Sequence, residues 1–310
     1  MKKIELHLHL DGSLNINLVN NLLGKNVTNK LISSNDSSLK EYLEKFSMPI
    51  EILQSYENIR LFSYSLAKEL VKEEVIYAEV RFCPLFHTKI INVDNVIKAI
   101  VEGFSMVKGI KINLIFCMMR NFSFEDNLKI IELAKKYLAN GVCGIDLAGD
   151  EASYKTSSFE KLFNIAQSYN IPYTVHAGEA DSYESVDSAI KFGAKRIGHG
   201  INSINNINTI KKLIDNNVTL EICPKSNLDT HAVDCIENHP IKKLYDAGVK
   251  ITINTDNRTV SNTSLEYEYQ LLRDTFNFTD DDFLKFNLNA IDAAFISDKE
   301  KNKLRKQLIN

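Results

Sequence analysis

Residues Lys3 to Asp11 read KIELHLHLD and alternate at a period of two, the spacing that sends successive side chains to opposite faces of a β-strand. His7 and His9 therefore share one face, with Glu5 before them and Asp11 just beyond. A buried strand normally fills such a face with aliphatic side chains, so two adjacent imidazoles are costly unless each is hydrogen-bonded or holds an ion. A shared metal ion satisfies both. A half-exposed edge strand is the plain alternative, and this motif alone leaves it open.

The rest of the chain bears on that choice. Further strand patterns lie over 75–82, 111–118, 142–147, 172–175, 196–197, 218–222 and 250–253, and helical patterns over 93–107, 125–138, 158–168, 182–192, 204–216 and 240–247 separate them. Strand-helix alternation implies parallel pairing. Eight such units predict an α/β fold, a single (β/α)8 TIM barrel, rather than an open doubly wound sheet, because the first strand then gains the eighth as a neighbour. After the first strand, Asp11-Gly12-Ser13 marks a turn and residues 24–37 a polar loop. Ser38 and Glu41 have capping-box spacing ahead of a short helix carrying Leu39, Tyr42, Leu43 and Phe46, which Pro49 should stop. One longer scaffold helix is expected over 50–72, so the barrel carries a helical insertion after its first strand. Residues 264–310 are helical in pattern and form a C-terminal tail whose charge clusters read as solvated faces. No domain boundary is apparent across residues 1–310.

The 310 residues fit such a barrel, for which about 250 is typical. Hydrophobic residues at 44% and charged residues at 25% are ordinary globular values. A net charge of −3 lacks the basic excess that nucleic acid or an anionic membrane surface demands, which points to a small-molecule substrate. The opening MKKIELHLHLDG is interrupted by polar residues and gives no signal peptide, and the run over 112–119 is far shorter than the roughly 20 residues of a membrane helix. Five scattered cysteines without a CxxC pair suit a reducing cytoplasm. A cytoplasmic chain is expected, with no protein partner and nothing requiring more than a monomer.

In a parallel barrel the working groups stand at the carboxyl ends of the strands. There the sequence places His7, His9 and Asp11 on the first strand; Gly149, Asp150 and Glu151 after the fourth; His176 and Glu179 after the fifth; His199 after the sixth; and Asp256 after the eighth. A core histidine and a surface glutamate would account for His176 and Glu179 taken alone, but five polar strand ends together argue for a site. Gly178 lets the chain bend, so Glu179 can swing toward whatever His176 holds. Three imidazoles and a carboxylate, His7, His9, His176 and Asp256, make a nitrogen-and-oxygen site suited to Zn2+ with one position left for water. Glu179 and His199 remain as proton carriers.

These residues lie in HLHLDG (7–12), LAGDE (147–151), HAGE (176–179), GHG (198–200), CPKSN (223–227) and NTD (254–256). The set resembles the adenosine deaminase family of metal-dependent amidohydrolase barrels, in family order along nearly the whole chain. The resemblance implies one zinc ion per chain on His7, His9, His176 and Asp256, with the attacking hydroxide also held by Asp256 and His199. It makes Glu179 the acid that protonates purine N1 while C6 is attacked, so Glu179, His199 and Asp256 are the catalytic candidates. It assigns His9, Asp11, Gly149 and Asn257 to the substrate: Asp11 to a ribose hydroxyl and the Gly149 N–H to N3.

Related adenine deaminases carry Glu where this chain has Asp11, which favours a nucleoside over a free base; a turn-forming Asp before Gly12 is the plain reading of the same residue. Asn257 stands where the animal enzymes carry a second Asp facing N7, and an amide supplies an N–H donor at any pH. Leu39, Tyr42, Leu43 and Phe46 resemble the helix that lids the purine pocket, with ordinary core packing as the alternative. The expected reaction is zinc-dependent deamination of adenosine, and of deoxyadenosine, to inosine or deoxyinosine and ammonia in purine salvage. A related aminopurine (adenine, an N6-methyl or an aminofutalosine-type compound) is the second reading, and a non-catalytic, metal-free binding barrel the third. Cys83, His87, His231 and His239 receive no role. The H-x-E and P-C-x-x-C signature of the other zinc deaminases is absent.

Overall fold

The computed structural model describes residues 1–33 and 39–309; the expected cap at Ser38 and the side chain of Leu39 lie outside the described residues. The strands are β1 (Lys3–His9), β2 (Val75–Phe82), β3 (Lys111–Met119), β4 (Val142–Ala148), β5 (His176–Ala177), β6 (Arg196–His199), β7 (Thr219–Ile222) and β8 (Lys250–Ile253). All neighbouring pairs are parallel, in two four-stranded sheets ordered β1-β2-β3-β4 and β5-β6-β7-β8.

Backbone hydrogen bonds link the sheets along two seams. The Ile145 N–H donates to Pro172 O at 3.0 Å and the Thr174 N–H to Ile145 O at 3.0 Å. On the other side the His9 N–H donates to Asp256 O at 2.7 Å and the Asp256 N–H to His7 O at 2.9 Å. The strands thus form the ring of an α/β barrel. β1 is no edge strand, and its imidazoles need partners inside the protein.

Regular pairing in the fifth strand begins later than the expected 172–175. Pro172 has no N–H for a ladder, Tyr173 makes one isolated bridge to Ile145, and continuous pairing starts where His176 faces Gly198. His176 is therefore held by the sheet itself. The helix expected over 50–72 is divided into Ser47–Ile52 and Tyr56–Lys72. The Ser55 hydroxyl caps the second by accepting the Asn58 N–H at 3.2 Å, while Gln54 Nε2 ties the break to Ile50 O and Phe86 O at 2.7 and 2.9 Å. Pro49 does not stop a helix. It lies in the first turn of Ser47–Ile52, where a missing N–H costs little. The polar loop holds one further turn of helix, Thr28–Leu31.

The tail is helical as expected, over Leu265–Phe276, Asp280–Ala293 and Asp298–Ile309. Its middle helix packs across β1 and β8. Asn287 Oδ1 accepts the Ile4 N–H at 2.8 Å and Asn289 Nδ2 donates to Ile251 O at 3.0 Å. A second apolar cluster of Ile4, Leu6, Tyr77, Ile291, Leu304 and Leu308 forms there, apart from the main core between barrel and outer helices. Among the described residues no helix is long and apolar enough to cross a membrane. Four of the five cysteines are buried and all are free.

Candidate active site

The carboxyl ends of the strands open into a cavity of about 530 Å³, within the usual range for small-molecule sites. His9, Asp11, Gly149, Asp150, His176, Glu179, His199, Asp256 and Asn257 line it, together with Tyr42, Leu43 and Phe46 of the inserted segment. His7 and Glu151 are buried and absent from this lining. Two lining residues without the freedom of glycine adopt left-handed backbone, His199 at φ 60° and Asp256 at φ 58°. That conformation costs roughly 1–3 kcal/mol and persists where surroundings over-determine it.

Side-chain ligand atoms of His7, His176, His199 and Asp256 all lie within 4.8 Å of one another. His9 joins them, with Nε2 3.4 Å from Asp256 Oδ1 and 3.3 Å from His176 Nε2. The residues expected to gather thus come together, along with His199. The far nitrogens explain their aim. His7 Nδ1 meets Glu221 Oε2 at 2.9 Å and His176 Nδ1 meets Asp146 Oδ2 at 2.8 Å. On His7 the carboxylate bond fixes the ring proton at Nδ1 and leaves Nε2 with a lone pair, the arrangement that metal-ligating histidines use, while on His176 the contact is an ion pair outside hydrogen-bond alignment. His7 Nε2 is buried without a hydrogen-bond partner, so the donor set fits a cation.

Burial, then Arg81, depresses the His7 imidazole, and burial holds His9 well below its ordinary range, so both remain neutral. Burial alone would raise Asp256, but the imidazoles of His7, His9 and His199 gathered around it hold it well below the carboxylate range.

Arg81 joins the two supporting carboxylates. It donates from Nη1 to Asp146 Oδ2 at 2.9 Å and from Nη2 to Glu221 Oε2 at 2.8 Å and Leu6 O at 2.7 Å. Arg196 takes the other oxygen of Glu221 at 2.6 Å and pairs with Glu79. His7, Glu221, Arg81, Asp146 and His176 therefore form one continuous charged chain inside the barrel.

Glu179 Oε1 accepts from Asn227 Nδ2 and from the Thr230 hydroxyl, each at 2.9 Å, while Oε2 lies 3.5 Å from His199 Nε2. The amide of Asn227 is oriented from behind. The Ile241 N–H donates to His239 Nδ1 at 3.1 Å, so His239 carries its proton on Nε2, which faces Asn227 Oδ1 at 3.2 Å. Asn227 Nδ2 then faces Glu179 and His199 Nδ1, the latter at 3.1 Å. With Oε1 taken by two donors, any proton on Glu179 resides on Oε2. Burial, reinforced by the charge of Asp256, pushes this carboxyl up to about 7. Burial takes His199 down to about 4.

The loop bearing Glu179 is held by Glu151. Its Oε1 accepts the Gly178 N–H at 2.6 Å and the Ser185 hydroxyl at 2.5 Å; its Oε2 accepts the N–H groups of Glu179, Ala180 and Asp181 at 2.9, 2.9 and 3.2 Å. Gly178 turns there at φ 73°, and a Cβ would stand 2.4 Å from Val186 Cγ2. Asp11 Oδ2 lies 4.0 Å from His87 Nε2, and burial pushes its carboxyl up to about 7. Gly149 adopts φ 101° on the cavity wall, a conformation open to glycine.

Sequence reasoning gave no role to Arg81, Asp146, Glu221, Thr230 or His239, and quoted Ser226 and Asn227 only within a motif. Charged residues at alternate positions of otherwise apolar strands, such as Glu79 and Arg81 in VIYAEVRF, were the available signal.

A family model for adenosine deaminase matches residues 2–310. Two curated relatives carry the same name. One, from Clostridium acetobutylicum, is 40% identical over 99% of this chain and 97% of its own; the other, from Clostridium perfringens, is 36% identical over 100% and 98%. The chain belongs to the adenosine deaminase family. It is an enzyme, a deaminating hydrolase. Among solved structures, an Arabidopsis ADAL complexed with IMP is similar at a TM-score of 0.88 and 26% identity, covering 99% of this chain and 96% of that one. An amidohydrolase from Burkholderia ambifaria with bound Zn shares the fold at a TM-score of 0.89 and 22% identity, covering 100% and 90%.

Proposed function

We propose that this member of the family hydrolyses adenosine and deoxyadenosine to inosine and deoxyinosine with release of ammonia, using one zinc ion on His7, His9, His176 and Asp256. The buried, unpartnered His7 Nε2 and the carboxylates on the far nitrogens of His7 and His176 support that donor set. A zinc ion there would supply Lewis acidity, which lowers the pKa of a coordinated water from 15.7 to about 7.

The chain's own residues do the rest. Asp256, anionic and anchored through Oδ2 by the Ser226 hydroxyl at 2.6 Å, accepts a hydrogen bond from the attacking water, and His199 faces the same point. Glu179 gives the proton on Oε2 to purine N1 as oxygen adds to C6, which prevents charge from building in the ring. Asp256 takes a proton from the water and passes it to N6, the C6–N6 bond breaks with ammonia leaving, and the C6 hydroxyl returns its proton to Glu179 as the keto product forms. Asp11 takes a ribose hydroxyl, the Gly149 N–H meets N3, His9 borders the sugar side, and Leu43 and Phe46 cover the base.

The observation that carries this reading is the placement of a neutral-leaning acid, Glu179, in the same cavity as the imidazole cluster, with one oxygen already committed to donors. The test is the ultraviolet change on deamination of adenosine, deoxyadenosine and adenine by purified protein, with and without a chelator. Turnover of both nucleosides, abolished by chelation and restored by zinc, is expected. Adenine consumed faster than adenosine would remove Asp11 from sugar recognition and overturn the assignment of substrate.

A further inference from the structure

An amide has a donor edge and an acceptor edge, so a cavity-lining Asn257 can serve ring recognition only if something fixes which edge is presented. The candidate for that task is Tyr42. Its ring lines the cavity and is buried, and its hydroxyl lies 2.9 Å from Asn257 Nδ2, 3.0 Å from Ser261 Oγ and 3.4 Å from Ser226 Oγ. Counting protons decides the directions. Ser226 donates its proton to Asp256 Oδ2 at 2.6 Å, so its oxygen can only accept from Tyr42. Ser261 Oγ can donate to the phenol or accept from it, and neither choice changes that count. Burial, reinforced by Asp256, holds the phenol well above its ordinary range, so it keeps its one proton, which goes to one of the two serine oxygens. The phenol oxygen then accepts from Asn257, whose donor is the amide nitrogen.

The other end of the amide agrees. Asn257 Oδ1 is turned onto Gly12, where a Cβ would stand only 1.9 Å away, and it finds no hydrogen-bond partner. Gly12 is not part of the cavity lining, whereas Tyr42 is. The nitrogen edge is therefore held beside the cavity even though the carbonyl is left unpaired, which costs roughly 1–3 kcal/mol.

We propose that Tyr42 is a positioning residue for ring selectivity: its hydroxyl takes one N–H of Asn257 so that the second N–H meets an acceptor nitrogen in the five-membered ring of the purine, N7. The inference rests on the reading of the substrate as an adenine nucleoside. Without Tyr42 the amide is free to turn its oxygen toward N7, and two lone pairs then oppose each other.

The experiment compares wild type with Tyr42→Phe on adenosine and 7-deazaadenosine, in which C–H replaces N7. Inhibition constants for inosine and 7-deazainosine give the same comparison without requiring turnover. Wild type should prefer the N7 ligand of each pair by about tenfold or more, the value of one hydrogen bond that would otherwise leave a buried donor unpaired. In Tyr42→Phe both ratios should fall to within about threefold, with melting temperature and metal content preserved. Asn257→Ala should lose the ratio as well, and adding Tyr42→Phe to it should change the ratio no further. An undiminished ratio in folded Tyr42→Phe, or no preference in wild type, overturns the proposal. A wild-type protein that leaves adenosine untouched with zinc present instead overturns the substrate reading beneath it.

Discussion

At the scale of single residues, chemistry here depends on which atom holds which proton. Glu179 shows this most directly: Asn227 and Thr230 occupy Oε1, so the proton it can deliver sits on Oε2. Glu179→Gln keeps the size and the amide oxygen that those donors need, but it has no acidic proton. Turnover should fall by about 10²–10⁴-fold, the usual contribution of a positioned acid, with metal content measured by atomic spectroscopy unchanged. The same carboxyl, pushed up to about 7, must be protonated when substrate binds. Activity should therefore decline as pH rises through that value, and Glu179→Gln should lack this alkaline limb. Retained turnover in a metal-replete Glu179→Gln would remove the residue from the reaction. The HAGE motif made Glu179 visible in the sequence; the residues that fix its proton were not, because Asn227, Thr230 and His239 act through hydrogen bonds between segments far apart in the chain. His239 looked idle for that reason, although it sets the direction of the Asn227 amide.

At the scale of elements, two carboxyls hold segments rather than react. Glu151 gathers four backbone N–H groups and a hydroxyl from residues 178–185. Glu151→Gln places an NH2 against one set of these donors, so the turn should loosen. We expect kcat to drop by about 10–10²-fold with a smaller change in KM, as positioning residues of this kind do when a reacting group moves by an ångström, and Glu151→Asp should recover part of the loss. Equal activity in Glu151→Gln would show that the turn holds itself. Glu268, in the first turn of Leu265–Phe276, accepts the Lys225 N–H at 3.1 Å and the Thr263 hydroxyl at 2.6 Å, and burial pushes it up to about 8 from 4.5. The folded chain therefore keeps a proton that the unfolded chain releases, and stability must fall as pH rises from about 4.5 to about 8. Glu268→Gln keeps an oxygen for the Lys225 N–H and reverses the other contact, its NH2 donating to the Thr263 hydroxyl, without the titration. Its melting temperature relative to wild type should rise steadily across that interval, and a constant difference would contradict the assignment. Most elements were legible from periodicity and caps. The divided helix was not, since Ser55 and Gln54 break it through contacts that hydrophobic spacing does not record.

At the scale of the molecule, the barrel was legible because parallel strands need interposed helices and a first strand with two histidines needs a neighbour on each side. What the sequence hid is the charge inside. Arg81 and Arg196 face Glu79, Asp146 and Glu221, all fully buried, and Asp256 adds a fourth carboxylate at the head of the chain of contacts. Burial opposes a charge on His176 but Asp146 beside it raises that imidazole, so four carboxylates opposite two guanidiniums and one imidazolium leave one negative charge in a region without water to screen it. Burying unbalanced charge is expensive, and a divalent cation taking the place of the imidazolium proton would cancel the excess. Removal of the proposed zinc should therefore cost stability as well as activity. Thermal unfolding of the purified protein should shift downward by several degrees after exhaustive chelation and recover with stoichiometric zinc, since a ligand bound only to the folded state stabilises it by RT ln(1 + [L]/Kd). In Asp256→Asn the chelated protein should lie closer to its metal-treated form, because one uncompensated charge is gone and one ligand weakened. A melting curve indifferent to chelation in the wild type would mean that the interior balances its charge by protonation, and the cation would then have no structural part in this barrel.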